Sequence, residues 1–326
     1  MKAWLIEAGG DGPRLAWREI DDLVPGEHEL LLRVRAVGLN RADLSRRAGH
    51  YERVVTRPPA PVAGLEAAGE VVAIGPGVAG WAIGDRVMGM PSGAYAEQTL
   101  IDHRLALRVP DGLAWVQAAA LPVAMLTAHD ALVTQGRIAR GENVFVQAAS
   151  SAVGIAALQI ARAMGAGAVA GTASAAKLGR LAQFGLTHGI DHAAGAAAPA
   201  VLAATGGHGA DVILDMVGAR AIDDHLAMAA LGARWVQVGR MGGTSGAIDL
   251  DLLSKKRLHL IGVTFRTRDV AEFAAVVRCA WRDLGALVAS GRFAMPVERV
   301  FPLDAADAAQ QAMRGNQHLG KFILEA

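Results

Sequence analysis

Asn143–Lys177 reads NVFVQAASSAVGIAALQIARAMGAGAVAGTASAAK, and this stretch decides the fold. Val144, Phe145 and Val146 form a short apolar, β-favouring run, as a strand buried on both faces of a parallel sheet does. Small residues fill Ala148 to Gly154, after which Ile155, Leu158, Ile160 and Met164 recur at helical spacing. A second strand, Ala168 to Gly171, and a loop follow. Strand, tight turn, helix and strand make half of a dinucleotide-binding unit. Free backbone N–H groups and the positive end of the helix dipole favour a pyrophosphate at the turn, and small side chains let the backbone approach it. A strict G-x-G-x-x-G is absent: only Gly154 is glycine, and Ala149, Ser150, Ser151 and Ala152 occupy the turn. Close helix–sheet packing alone is the competing reading of such a turn.

The tip of the second strand speaks to which dinucleotide. An NAD-selective unit places an Asp or Glu there to bond the ribose 2′-hydroxyl. Here the tip reads Gly171, Thr172, Ala173, Ser174, with no acid until Asp191 and with Lys177 three residues beyond Ser174. A hydroxyl and an ammonium without a competing carboxylate suit a 2′-phosphate, so NADPH is the expected cofactor. The alternative for Lys177 is a solvated charge on the next helix.

Working outward, 326 residues predict about two domains. A hydrophobic fraction of 52% against 19% charged residues provides ample core. The 32 basic and 31 acidic side chains leave a net charge of +1, with no basic stripe of the kind nucleic acid requires. The lone Cys279 can form neither an intramolecular disulfide nor a multi-cysteine zinc site, and reads as a small buried group on the helix around Glu272 to Leu287. MKAWLIEAGG starts a strand without a charged-then-apolar leader, and no apolar run approaches 18 residues. A cytoplasmic protein with no membrane association is the expectation.

Met1 to about Leu121 shows short strands split by Gly and Pro, with Lys2–Ile6, Glu29–Val37 and Glu70–Ile74 as candidates, so this part is mostly β and barrel-like. Arg41–Arg47 fits a short helix with Asn40 as its cap and Asp43 in its first turn. From Pro122 strands alternate with helices. The strand candidates are Val144–Val146, Ala168–Gly171, Gly189–Asp191, Val212–Val217, Trp235–Gly239 and Leu258–Thr264, with helices such as Ala176–Gln183 and Ala221–Leu231 between them. The class is α/β, a doubly wound parallel sheet. A helix over Arg268–Ser290 precedes a strand Val297–Phe301, a helix Ala305–Arg314 and a closing strand Lys321–Leu324, which return to the first unit.

Several strings carry a family resemblance: GLNRADLSRRAGHY (Gly38–Tyr51), GLEAAGEV (Gly64–Val71), IGDRV (Ile83–Val87), QAAALPVAMLTA (Gln117–Ala128), GARWVQVGRMGG (Gly232–Gly243) and GKFILE (Gly320–Glu325). Together they resemble the zinc-independent quinone oxidoreductase branch of the medium-chain dehydrogenases/reductases, most closely its tumour-suppressor-inducible type. The resemblance implies a Rossmann-type doubly wound parallel sheet, residues 123–266, inserted into a mostly β, barrel-like (GroES-like) catalytic domain, residues 1–122 and 267–326. Zinc alcohol dehydrogenases of the superfamily place a cysteine where this chain has Asn40 and a histidine where it has Leu65. Glu66 is kept, but Asn40 and Leu65 cannot form a Cys/His shell, and the four-cysteine structural lobe is missing. Metal-free chemistry is therefore expected.

What the resemblance then implies is direct hydride transfer from a nicotinamide to an acceptor that is already electrophilic, a quinone or an α,β-unsaturated carbonyl (enone). Such a site needs hydrogen-bond donors for the oxygen that gains charge. Tyr51 and Asn40 are the catalytic candidates. The competing readings are a helix cap alone for Asn40 and a loop aromatic for Tyr51. By position, Thr127 and Asn40 are expected at the nicotinamide ribose or phosphates. Ser151, Val153 and Gly154 should meet the pyrophosphate, and Ser174 with Lys177 the 2′-phosphate. Relatives carry a tyrosine beside that phosphate where this chain has His192, which bonds a phosphate best when protonated. Gly239, Arg240 and Met241 should border the cofactor, with Val263, Thr264 and Phe265 facing the nicotinamide. Relatives also carry glycine at Ala149 and Ala152. If either position needs φ > 0, alanine costs about 1 kcal/mol or more; if the glycines only allow close approach, one methyl pushes the pyrophosphate outward. An enoyl or alkenal reductase with the same cofactor, or an NADPH-binding protein with incidental turnover, are the competing functions. Pairing through the apolar outer strand Leu258–Phe265 predicts a homodimer.

Overall fold

Short apolar strands that alternate with helices can pair side by side only through crossovers, and right-handed crossovers stack them in parallel. The computed structural model describes residues 1–10, 12–49 and 62–326. In chain order it shows β1 (Lys2–Glu7), β2 (Arg14–Glu19), β3 (Glu29–Gly38), α1 (Arg41–Arg47), β4 (Ala67–Ile74), β5 (Arg86–Gly89), β6 (Gln98–Asp102) and β7 (Leu107–Arg108). Then come α2 (Trp115–Ala119), α3 (Pro122–His129), β8 (Val144–Val146), α4 (Ala152–Ala163), β9 (Val169–Ala173), α5 (Ala175–Leu178), β10 (His188–Asp191), α6 (Ala198–Ala204) and β11 (Ala210–Asp215). The chain ends with α7 (Ile222–Met228), β12 (Ala229–Gln237), α8 (Leu250–Lys256), β13 (His259–Gly262), α9 (Val270–Ala289), β14 (Val297–Pro302), α10 (Ala306–Arg314) and β15 (Lys321–Glu325). Two units result: Met1–Val123 with Phe265–Ala326, and Ala124–Thr264.

In the second unit six parallel strands run in the order β10-β9-β8-β11-β12-β13. Numbered within the unit this is 3-2-1-4-5-6, the Rossmann order expected from the sequence. It reverses direction between β8 and β11, and ligands of such sheets bind outside the carboxyl ends at that switch point. All three residues of β8 are buried. In α4 the periodic Ile155, Leu158 and Ile160 are buried, and Gly165 (φ 76) turns the chain off just past its end.

The first unit is built on a seven-stranded mixed sheet, β14-β15-β3-β4-β5-β7 with β6 added to β3, and a β1–β2 hairpin beside it. β15 lies antiparallel to β3, pairing Leu324 with Val37, so the tail does fold back into this unit. α9 opens with a capping box: Asp269 accepts from the Glu272 amide and Glu272 from the Asp269 amide.

Differences from the sequence reading have local causes. β2, β5, β6 and β7 are short or interrupted by charge and carry little pattern. The helix read over Ala221–Leu231 stops at Met228, because Ala229 pairs with Ala210 and starts β12. The one over Ala176–Gln183 lasts a single turn before Gly179. Trp115–Gln135 forms a 21-residue helical run of mean hydropathy 1.3, long and apolar enough to cross a membrane, contrary to the expectation that no such stretch exists. It is 72% buried inside the protein, as a core helix is.

Candidate active site

Backbone geometry at the end of β8 decides what the loop Gln147–Ser151 can offer a ligand. Ala148 donates its amide to Thr172 Oγ1 (3.0 Å) and Ala149 to the Thr172 carbonyl (2.8 Å), so both N–H groups face the sheet. Ala149 is fully buried, and a Cβ on Gly171 would lie 2.9 Å from its methyl; that methyl points inward, away from any pyrophosphate. Neither Ala149 nor Ala152 takes φ > 0. Ala148 instead sits in the left-handed region at φ 52, while Ala152 is the first helical residue of α4. Gly154 is needed for close approach: a Cβ would lie 2.6 Å from the Ala148 carbonyl.

Ser151 caps α4, its hydroxyl accepting from the Gly154 amide at 3.0 Å and lying 3.5 Å from Met216 Sδ. Of the expected pyrophosphate contacts, Ser151 and Gly154 are therefore already satisfied by each other. The first-turn amides of Ala152 and Val153 are the ones without an intrahelical acceptor.

Ser174 follows β9 and caps α5 through its backbone, its side chain making no cap bond, and Lys177 is half-buried one turn on. Asp191 pairs across to Ala173 from the neighbouring strand. Its carboxyl is held below the usual range by the Ala193 amide (3.1 Å), by His192 and by the Ala175 amide, so this acid reaches across to the start of α5 beside Ser174. His192 is exposed, 3.4 Å from Asp191.

An unanticipated residue ties the neighbouring strand ends together. Asp215, fully buried at the end of β11, accepts from the Val217 and Gly218 amides (2.8 Å each) and from Trp235 Nε1 (3.1 Å). Gly242 donates to the Val217 carbonyl at 2.7 Å, and a Cβ on Gly239 would lie 2.5 Å from the Met216 carbonyl. Arg240 and Met241 are exposed on this joined loop. Ser151 to Gly154, Ser174, Lys177, His192, Gly239 to Met241, Val263 and Thr264 all follow the carboxyl ends of parallel strands, at one edge of the sheet. Thr127 is half-buried on α3, and in the first unit Phe265 is buried with its ring on Phe273, centroids 4.6 Å apart.

The first unit holds a buried polar centre. Lys321 in β15 is 1% exposed, and its ammonium donates to Asn40 Oδ1 (2.6 Å) and to Glu66 Oε2. Asn40 in turn donates both amide hydrogens inward, to Glu66 Oε2 (2.9 Å) and the Gly38 carbonyl (3.2 Å). Glu66 Oε1 accepts from the Val123 amide at 2.7 Å, anchoring the first turn of α3. Gly38 has no room for a side chain, since a Cβ would collide with the Ala119 carbonyl and the Glu66 carboxylate. Asp43 Oδ2 accepts from the Asn40 amide (2.8 Å) and the Tyr95 hydroxyl (3.0 Å), while its Oδ1 is buried without a partner. Burial pushes the Asp43 carboxyl up to about 6, against the opposing pull of those two donors, Lys321 and Arg46. Burial and the neighbouring Asp43 drive the Tyr95 phenol well above its usual value.

The hydrogen bonds bear on one expectation. Asn40 does cap α1, but both its amide hydrogens are engaged, so it offers no free donor to a substrate oxygen. Tyr51 lies outside the described residues. Lys321, Tyr95 and Asp215 were not singled out from sequence, although a lysine opening an apolar closing strand, and an acid ending the run Val212 to Leu214, are visible there.

Comparison with known proteins bears on the whole arrangement. An alcohol dehydrogenase GroES-like domain model matches residues 26–111 and a zinc-binding dehydrogenase model residues 152–282. A quinone oxidoreductase of Pseudomonas syringae superposes with a TM-score of 0.87 at 28% identity, over 100% of this chain and 99% of that one. The chain belongs to the medium-chain dehydrogenase/reductase superfamily. A mycobacterial member of known structure, complexed with NADPH, gives a TM-score of 0.86 at 29% identity over all of both chains. The CurK enoyl reductase gives 0.85 at 26%, over 99% and 98%. The first curated relatives are polyketide synthases, 34–37% identical over the matched part, of whose length the chain spans between 5% and 15%.

The zinc of many medium-chain dehydrogenases does not fit this chain. Asn40, Leu65 and Glu66 supply one carboxylate, and that carboxylate is already paired with an ammonium that would face any added cation at hydrogen-bond distance. Among the described residues no group of three His, Cys, Asp or Glu side chains is gathered elsewhere. A nicotinamide dinucleotide fits the sheet edge, where the first-turn amides of α4 meet the switch point and the Ser174 hydroxyl and Lys177 stand at the β9 tip with Asp191 on the neighbouring strand.

Proposed function

We propose that this chain is an NADPH-dependent, zinc-free oxidoreductase of the quinone oxidoreductase branch, passing hydride directly to quinones or α,β-unsaturated carbonyls. The observation that carries the reading is the buried Asn40–Glu66–Lys321 centre, where an ammonium stands in place of a ligand shell for a Lewis acid. Without a Lewis acid, the acceptor must be activated by its own conjugation.

NADPH, when bound, supplies the hydride. The α4 amides and dipole hold the pyrophosphate, and Ser174 with Lys177 select the 2′-phosphate as a charge-assisted pair. Gly239 and the Asp215-anchored loop keep the β11 and β12 ends low enough for a dinucleotide to lie across the switch point. Tyr51 remains the candidate donor to the acceptor oxygen. The solved NADPH complex of the mycobacterial relative supports the cofactor.

A second reading, an enoyl reductase acting on an α,β-unsaturated thioester, draws on the CurK neighbour and the polyketide synthase relatives. One assay separates the readings: oxidation of NADPH and NADH monitored with an ortho-quinone, a para-quinone, a 2-alkenal and an enoyl thioester. Turnover of the thioester alone selects the second reading, and NADPH binding without turnover of any acceptor rejects both. The exposed edge of β13, with Leu260 48% exposed, is where we place a homodimer contact.

A further inference from the structure

Burying an ammonium is expensive unless every partner is in place, and an apolar residue in its stead would often serve stability as well. Lys321 nonetheless opens the strand Lys321–Glu325, whose next three residues, Phe322, Ile323 and Leu324, are all core residues. Its three neighbours in the hydrogen-bond chain are Asn40, Glu66 and, through Glu66, the Val123 amide. Two of them stand at helix starts: Asn40 is the N-cap residue of α1 and Val123 lies in the first turn of α3. The alternative amide orientation of Asn40 would set its NH2 group against the ammonium, so Lys321 also decides which way that side chain points.

We propose that Lys321 is the resident cation of this centre, a positioning residue that fixes the Asn40 amide and the Glu66 carboxylate and thereby sets the α1 and α3 starts against which the acceptor is held. The inference rests on the functional reading above and deepens it. Lys321 touches neither cofactor nor acceptor; it acts through Asn40 and Glu66. Removing it frees the Asn40 carbonyl oxygen to turn outward and leaves Glu66 buried without its counter-ion. A misplacement of about 1 Å in a positioning wall is enough to lower turnover by about 10²-fold.

The test uses the full chain and its variants Lys321→Met, Lys321→Arg and the charge-neutral double variant Lys321→Met/Glu66→Gln. The chain has five lysines, so 15N-lysine labelling gives a readable ammonium spectrum in which Lys321→Arg identifies the missing signal. Slow proton exchange of that signal is expected, and its absence from the wild type overturns the proposal. In kinetics, Lys321→Met should lower kcat/KM for the acceptor by about 10²-fold and leave the KM for NADPH within about twofold, with Lys321→Arg recovering at least tenfold. A merely structural lysine would lower the melting temperature without that split. Should Lys321→Met fail to fold, the double variant removes both charges together and is read the same way. Acceptor kinetics equal to wild type in a folded variant overturn the inference alone. A wild type that binds NADPH, shows the protected ammonium and turns over no acceptor overturns the functional reading, and the inference with it.

Discussion

Replacing Asp43 with asparagine should make the protein's stability less dependent on pH, in a direction and by an amount that the buried centre fixes. The carboxyl ordinarily titrates at 3.8 and is pushed by burial to about 6 in the folded chain. A folded-state value above the unfolded one means that stability is complete below pH 3.8 and is lost as pH rises through 6. At about 1.36 kcal/mol per pH unit, that gap corresponds to about 3 kcal/mol. Asparagine keeps an oxygen for the Asn40 amide and the Tyr95 hydroxyl and cannot ionise. Its NH2 group at the partnerless Oδ1 position adds a penalty of about 1–3 kcal/mol that does not vary with pH. The quantity to follow is therefore the difference in unfolding free energy between Asp43→Asn and wild type, by urea denaturation from pH 4 to pH 8. It should shift in the variant's favour by about 3 kcal/mol, most of it before pH 6.5. A flat difference, or one that moves against the variant as pH rises, would show that Lys321 and Arg46 outweigh burial and hold Asp43 as a stabilised ion.

Three further outcomes are expected. Lys177→Ala should raise the KM for NADPH by about 10- to 100-fold, the loss of one charge-assisted contact, while leaving that for NADH nearly unchanged; equal effects in parallel steady-state assays would reject the 2′-phosphate role. Ala148→Gly should raise thermal stability by about 0.5–1 kcal/mol, because φ 52 costs alanine more than the entropy glycine adds, and a lower melting temperature would contradict it. His225, fully buried 3.6 Å from Asp215 and edge-on to Trp235, has its titration lowered by burial, so stability falls as pH drops below 6.5. His225→Phe should flatten that acid limb in a pH series of melting temperatures; a steeper limb would mean that Asp215 holds the imidazolium.

The sequence is informative where a residue's own pattern sets its environment. The run Val144–Val146 and the periodic Ile155, Leu158 and Ile160 are local features, and with them the doubly wound sheet is readable; that Asp191 reaches the tip at Ser174 from the neighbouring strand is not. The family strings supplied the barrel-like unit, whose strands β5 and β7 are too short to announce themselves. Contacts made across long sequence separations were not readable. Lys321 meets Glu66 255 residues away and Asn40 281 away, and the Asn40 amide hydrogens go to Glu66, 26 residues on, and to the Gly38 carbonyl. The turn is legible only in part for a related reason: the alanine that takes φ > 0 is Ala148, whose amide donates to Thr172 on the neighbouring strand, a contact the motif's glycine count does not reveal.

The central claim, hydride transfer without a bound metal, is tested most directly by stripping the purified protein with a strong chelator, verifying by elemental analysis that zinc is below stoichiometry, and following NADPH oxidation with a quinone and a 2-alkenal. Turnover equal to that of the untreated protein, and unchanged on adding zinc, is the predicted result. Activity that disappears on stripping and returns with zinc would contradict the account.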